Sequence, residues 1–145
     1  MDFRDWNKSG ELILQSYNFL SKTGIELGGG NCGQVALAVF SFLEDNNLPI
    51  KIGLITNEDD ENNLIRGEPD IYHAYVVYKN QRYDETGPIT IRYLAKLAED
   101  QYQNFHPFEF IFEPNEIQKV KKIIDTQTNW TNPSNWFYNK LKNQS

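Results

Sequence analysis

Residues 32–46 constrain this chain more than any other stretch. Val35, Ala36, Leu37, Ala38, Val39, Phe40, Phe42 and Leu43 cover nearly the whole circumference of a helix. A helix that is apolar all round must be buried on most sides, so this one is expected at the centre of the fold. The 145 residues suffice for one sizeable core around it, which predicts a single domain over 1–145. Glu44-Asp45-Asn46-Asn47 stops the helix, and Pro49 cannot continue it.

The flanking segments supply the packing partners. Residues 9–23 read as an amphipathic helix: Ser9 is an N-cap residue, Glu11 suits the first turn, and Leu12, Ile13, Tyr17 and Leu20 form one stripe. Thr23-Gly24 is expected to end it. A glycine-rich loop follows from Ile25 to Asn31. Residues 50–56 read as a strand, 57–70 as a long acidic and polar surface connection, and 71–78 and 82–86 as a hairpin turning near Lys79-Asn80-Gln81. Gly87-Pro88 is expected to close that hairpin. Thr90 to Glu99 predicts a short helix, 108–112 a strand, and Pro114 to Asp125 a helix with Pro114 at N1 and Ile117, Val120 and Ile124 inward. Trp130, Trp136, Phe137 and Tyr138 are expected to dock the C-terminus. The sum is an α+β fold, with a central helix packed on a small antiparallel sheet.

A net charge of −6 disfavours nucleic acid as a partner. The start, Met1-Asp2-Phe3-Arg4-Asp5-Trp6, lacks the basic and apolar regions of a secretory leader, and no apolar run is long enough to span a bilayer. One cysteine forms no intrachain disulfide, which suits a reducing, cytoplasmic setting.

That cysteine, Cys32, opens the central helix from Gly28-Gly29-Gly30-Asn31. Unsatisfied N–H groups and the positive end of the helix dipole favour an anionic sulfur there. The same N–H groups can donate to an oxyanion, and preceding glycines leave room for a substrate. His73 interrupts Ile71-Tyr72-His73-Ala74-Tyr75, and Asp84 sits in Arg82-Tyr83-Asp84-Glu85-Thr86, where a strand disfavours aspartate. With a two-residue loop at Lys79-Asn80, Tyr78 opposes Gln81, His73 opposes Thr86, and Asp84 is the diagonal neighbour of His73. A three-residue loop without a bulge puts Asp84 on the opposite face. A thiol, an imidazole and an orienting carboxylate are the parts of a thiol nucleophile site.

The ordered set Gly30-Asn31-Cys32-Gly33-Gln34, Leu48-Pro49-Ile50, His73-Ala74-Tyr75-Val76 and Tyr83-Asp84-Glu85-Thr86-Gly87 resembles the transglutaminase-like branch of the papain-like cysteine peptidase superfamily. The likeness spans roughly residues 28–88. It implies a papain-like core with Cys32 as nucleophile, His73 as general base and acid, and Asp84 as orienting acid. The Cys32 N–H would donate to the oxyanion, with Gly30, Asn31 and Gln34 in the oxyanion and substrate loop. The implied reaction passes through a thioester formed from an amide or ester carbonyl of a protein or peptide. Hydrolysis, deamidation and acyl transfer share that step. No metal or organic cofactor is implied.

Two other readings stay open: a non-catalytic binding or inhibitory protein on the same fold, and arylamine-type acyl transfer from a thioester donor. The remaining features favour bland roles. His106 lacks a nearby partner in sequence, a zinc site would have to recruit carboxylates, and Glu58-Asp59-Asp60-Glu61 reads as a solvated loop. The residues set no oligomeric state.

Overall fold

The computed structural model describes residues 6–23, 27, 31–57, 71–101, 107–127 and 134–144. Along the chain run α1 (Trp6–Ser21), α2 (Cys32–Asp45), β1 (Lys51–Asn57), β2 (Ile71–Tyr78), β3 (Gln81–Asp84), β4 (Gly87–Ile89), α3 (Ile91–Gln101), β5 (Pro107–Phe112), α4 (Ile117–Gln127) and α5 (Ser134–Lys142). The fold is α+β, with five α-helices and one small antiparallel sheet of order β4-β3-β2-β1-β5 among the described residues. No helix there is long and apolar enough to cross a membrane.

Helix α2 behaves as its composition demands. Residues from Gly33 to Phe40, and Leu43, are all buried. It packs against β2 and β1 of the sheet and against α1, α4 and α5. Its end is built from polar side chains: Asn46 Nδ2 donates to the Phe42 carbonyl at 2.7 Å. Asn47 takes a left-handed φ of 64° and Leu48 N–H returns to the Leu43 carbonyl at 3.0 Å, a helix stop of the kind asparagine tolerates. Gly33 has a packing role, because a Cβ there would lie 2.9 Å from Ile124 of α4.

The sheet is covered on both sides. Ile52, Leu54, Ala74, Val76, Tyr78, Tyr83 and Phe112 face the core shared by α1, α2, α4 and α5. Ile55, Tyr75, Val77 and Ile89 meet Leu94 of α3 on the other side. Thr90 caps α3 by accepting the Tyr93 N–H on Oγ1 at 3.1 Å.

Several expected boundaries move. Helix α1 begins at Trp6, so Ser9 lies inside it rather than at its cap. It ends at Ser21, whose Oγ donates to the Asn18 carbonyl. The strand expected over 82–86 stops at Asp84, because Glu85 and Thr86 form a turn. Gly87-Pro88 does not close the hairpin but opens β4, which pairs back on β3. Gly87 takes a φ of +111° at that reversal. Pro114–Glu116 is a 3-10 turn closed by Glu113 and Glu116, and the α-helix starts only at Ile117. Gly24, the loop residues 28–30, the acidic stretch 58–70, His106 and Trp130 lie outside the described residues.

Candidate active site

The β2–β3 hairpin turns through Lys79 and Asn80 alone, with φ of 49° and 66°, and Tyr78 pairs with Gln81. Positive φ at both central residues defines the type I′ turn of a two-residue loop. The register that makes Asp84 the diagonal neighbour of His73 is therefore the one adopted. His73 Nε2 and Asp84 Oδ2 lie 2.8 Å apart, with side chains 13% and 4% exposed.

A bulge lies beside the histidine. Ile55 pairs with His73 and Thr56 with Ile71, so the register shifts by one residue at Tyr72. Such a bulge re-aims the side chains next to it. It comes where β1 finishes, β2 begins and β3 finishes, so the dyad sits at that end of the sheet.

Asp84 is itself held. Its Oδ1 accepts the Thr86 N–H at 2.8 Å and the Thr86 hydroxyl, leaving Oδ2 for His73. Thr86 was not singled out from the sequence for this role. The spacing Asp-x-Thr carries the signal, since an aspartate readily accepts from the backbone two residues on.

Cys32 is half-buried at the start of α2. Its side chain interacts with His73 alongside that of Asp84. Burial works against a charged imidazole here. Hydrogen bonds to Asp84 and Cys32, and their charges, prevail and push the His73 pKa up to about 10. Burial likewise opposes the Asp84 carboxylate, but the bonds from His73 and Thr86 hold its pKa below the usual range. Burial, reinforced by the Asp84 charge, raises half-buried Glu85. The pair is thus an imidazolium and a carboxylate near neutral pH.

Tyr17 of α1 comes to the same place, although the sequence pattern marks it only as core. It is 3% exposed. Burial first, then the charges of Glu85, Asp84 and Cys32, keep its phenol protonated, with the Val76 backbone opposing them. Of the expected oxyanion and substrate loop, Asn31 and Gln34 are buried, and both make contacts with other groups. Gly30 lies outside the described residues. His73, Asp84 and Glu85 each bring a potential ligand atom within 4.8 Å of the others. The hydrogen bond between the first two uses His73 Nε2 and Asp84 Oδ2.

The arrangement holds the Cys32 sulfur beside a charged imidazole whose Nε2 is fixed by a carboxylate. That is the chemistry of proton exchange at sulfur. No family model, no curated protein and no solved structure matches this chain.

Proposed function

We propose that this protein is a cysteine-nucleophile hydrolase or acyltransferase with a papain-like, transglutaminase-like core. It would act on an amide or ester carbonyl of a protein or peptide in the cytoplasm. One observation carries the reading: His73 is bonded to Asp84 at 2.8 Å and interacts with Cys32 at the N-terminus of α2. Because Nε2 is taken by Asp84, Nδ1 is the ring nitrogen left to exchange a proton with the thiol. In the resting site the Cys32 proton already sits on His73, and the thiolate attacks the carbonyl carbon. The oxyanion that forms takes the Cys32 backbone N–H and a second donor from the preceding loop. His73 returns the proton to the leaving amine or alcohol as the C–N or C–O bond breaks, leaving a thioester on Cys32. Water or an amine then attacks, His73 removes its proton, and the thiolate is released. Asp84 keeps the ring oriented and stabilises the imidazolium throughout.

The test begins with the rate of iodoacetamide alkylation of Cys32 against pH in the wild type and in His73→Ala. A fast reaction at neutral pH, lost in the variant, is expected. Intact-mass measurement after incubation with an activated acyl ester should then show a single acyl adduct, absent in Cys32→Ala. Slow alkylation with the same profile in both proteins refutes the enzyme reading and leaves a binding protein on the same scaffold. Labelled amine incorporation against plain hydrolysis separates acyl transfer from hydrolase action.

A further inference from the structure

The outer face of the sheet carries a polar assembly that the proposed chemistry does not use. Tyr75 is fully buried although it is a phenol, and its ring lies over Gly53 on the neighbouring strand. A Cβ at position 53 would come within 2.3 Å of that ring, so only glycine leaves the space. The Tyr75 hydroxyl donates to Glu109 Oε2 on β5. Glu109 is gripped in turn by Arg82 on β3, with Nε to Oε2 at 2.6 Å and Nη2 to Oε1 at 2.7 Å. Arg82 and Glu109 sit on strands separated by β2 and β1, so this fork closes over Tyr75 and spans four of the five strands. At its other edge the Tyr75 ring meets His73, with centroids 6.0 Å apart and planes tilted by 35°.

We propose that Tyr75 is a positioning residue for His73, and that Glu109 and Arg82 serve this site by locking the Tyr75 ring in place. The tyrosine is a wall beside an imidazole that Asp84 holds by one nitrogen only. The hydrogen bonds to Asp84 and Cys32 leave the ring free to tilt about the line that joins them, and a rigid neighbour removes that freedom. Each part of the wall is constrained: Gly53 beneath the ring, Glu109 at the hydroxyl, and the planar two-bond fork of Arg82 behind Glu109. Burial, aided by Glu109, also keeps the Tyr75 hydroxyl protonated, so the tether persists across the working pH range. The pair is partly exposed to solvent, and such an ion pair adds little net stability, which favours a role in holding geometry.

The proposal leans on the thiol–imidazole reading for a rate measurement, and an imidazole titration tests it separately. Tyr75→Phe keeps the ring and removes the tether; Glu109→Gln keeps a hydrogen-bond partner and removes the charge that Arg82 grips. Each variant is compared with the wild type by second-order alkylation of Cys32 at pH 7 and by NMR titration of His73. The groups acting on that titration are Asp84, Cys32 and Glu85, with neutral Tyr17 and Tyr75 beside them. Both variants should melt cooperatively, alkylate roughly 3- to 10-fold more slowly, and show a lower His73 midpoint. That effect is below the ~100-fold that an ångström of misplacement can cost. The double variant should be no slower than the slower single one, because both act through one ring.

Unchanged rates and an unchanged His73 midpoint in both variants would overturn the proposal and leave the fork as a tie between strands. If either variant fails to fold, Arg82→Lys replaces it. It keeps the charge but loses the fork, and the same two outcomes decide. Should the wild type show no His73-dependent alkylation, the functional reading falls. The titration then still decides whether Tyr75 governs the imidazole.

Discussion

Replacing Asp84 by asparagine keeps the shape of the side chain and removes its charge. In the wild type, the His73 pKa rises from 6.5 to about 10 against a burial effect that points the other way. At about 1.4 kcal/mol per pH unit, that is on the order of 5 kcal/mol in favour of the imidazolium, shared between Asp84 and Cys32. With side-chain exposures of 13% and 4%, solvent screening takes little from it. Asparagine leaves burial opposed only by Cys32, so His73 should titrate near or below 6.5 and be mostly neutral at pH 7. The neutral ring still has a hydrogen-bond partner, so the loss of folding stability at pH 7 should be about 2–4 kcal/mol, at the low end for a broken buried pair. For a chain of this size that lowers Tm by about 5–15 °C. Imidazole ¹³C–¹⁵N correlation spectra from pH 5 to 10.5 give the midpoints, and His106→Gln assigns the two histidines. Urea unfolding at pH 7 gives the stability. A wild-type His73 that titrates near 6.5, or a midpoint that asparagine does not move, would refute the view that Asp84 holds a charged ring.

The same groups set a pH window for stability. The raised His73 contributes below pH 6.5 and its share is lost as pH climbs through about 10, whereas the lowered Asp84 contributes above about 3.8 and its share is lost in acid. Tm should therefore peak between about pH 4 and 6.5, and a maximum above pH 8 contradicts the pairing. Gly53→Ala drives a methyl into the Tyr75 ring at 2.3 Å and should cost about 1–3 kcal/mol by urea unfolding; a neutral result means the ring does not lie over that strand. Lys79 occupies a left-handed position, φ 49°, in the hairpin turn, which asparagine tolerates better. Lys79→Asn should raise stability by about 0.5–1 kcal/mol, and a fall in Tm would argue against the type I′ turn.

Local patterning reached much of this molecule unaided. The central helix was legible because residues 35–43 leave almost no polar face, and the span of β2 matches its β-branched and aromatic run from Ile71 to Tyr78. The ends of elements were less so. Ser9 is an acceptable cap residue but does not stand at a cap, and Gly87-Pro88 reads as a terminator yet begins a strand. At Gly87-Pro88, strand pairing back on β3 outweighed a local preference. The Asp84–His73 contact lay between the two: spacing permitted it, and the two-residue turn decided it.

The order of Cys32, His73 and Asp84, the buried helix that carries the thiol and the hairpin that carries the other two follow from the chain, because each depends on neighbours within a few residues. The bulge beside His73, the grip of Thr86 on Asp84, the approach of Tyr17 and the Arg82–Glu109 fork over Tyr75 came only with the tertiary structure. The last two join elements far apart in sequence, and no local period records which distant side chain will fill a given space. The bulge and the Thr86 turn are local, but they depend on where strand pairing stops. Gly53 shows the divide most simply: in the sequence it is a weak point in a strand, and in the fold it is the space a tyrosine ring needs.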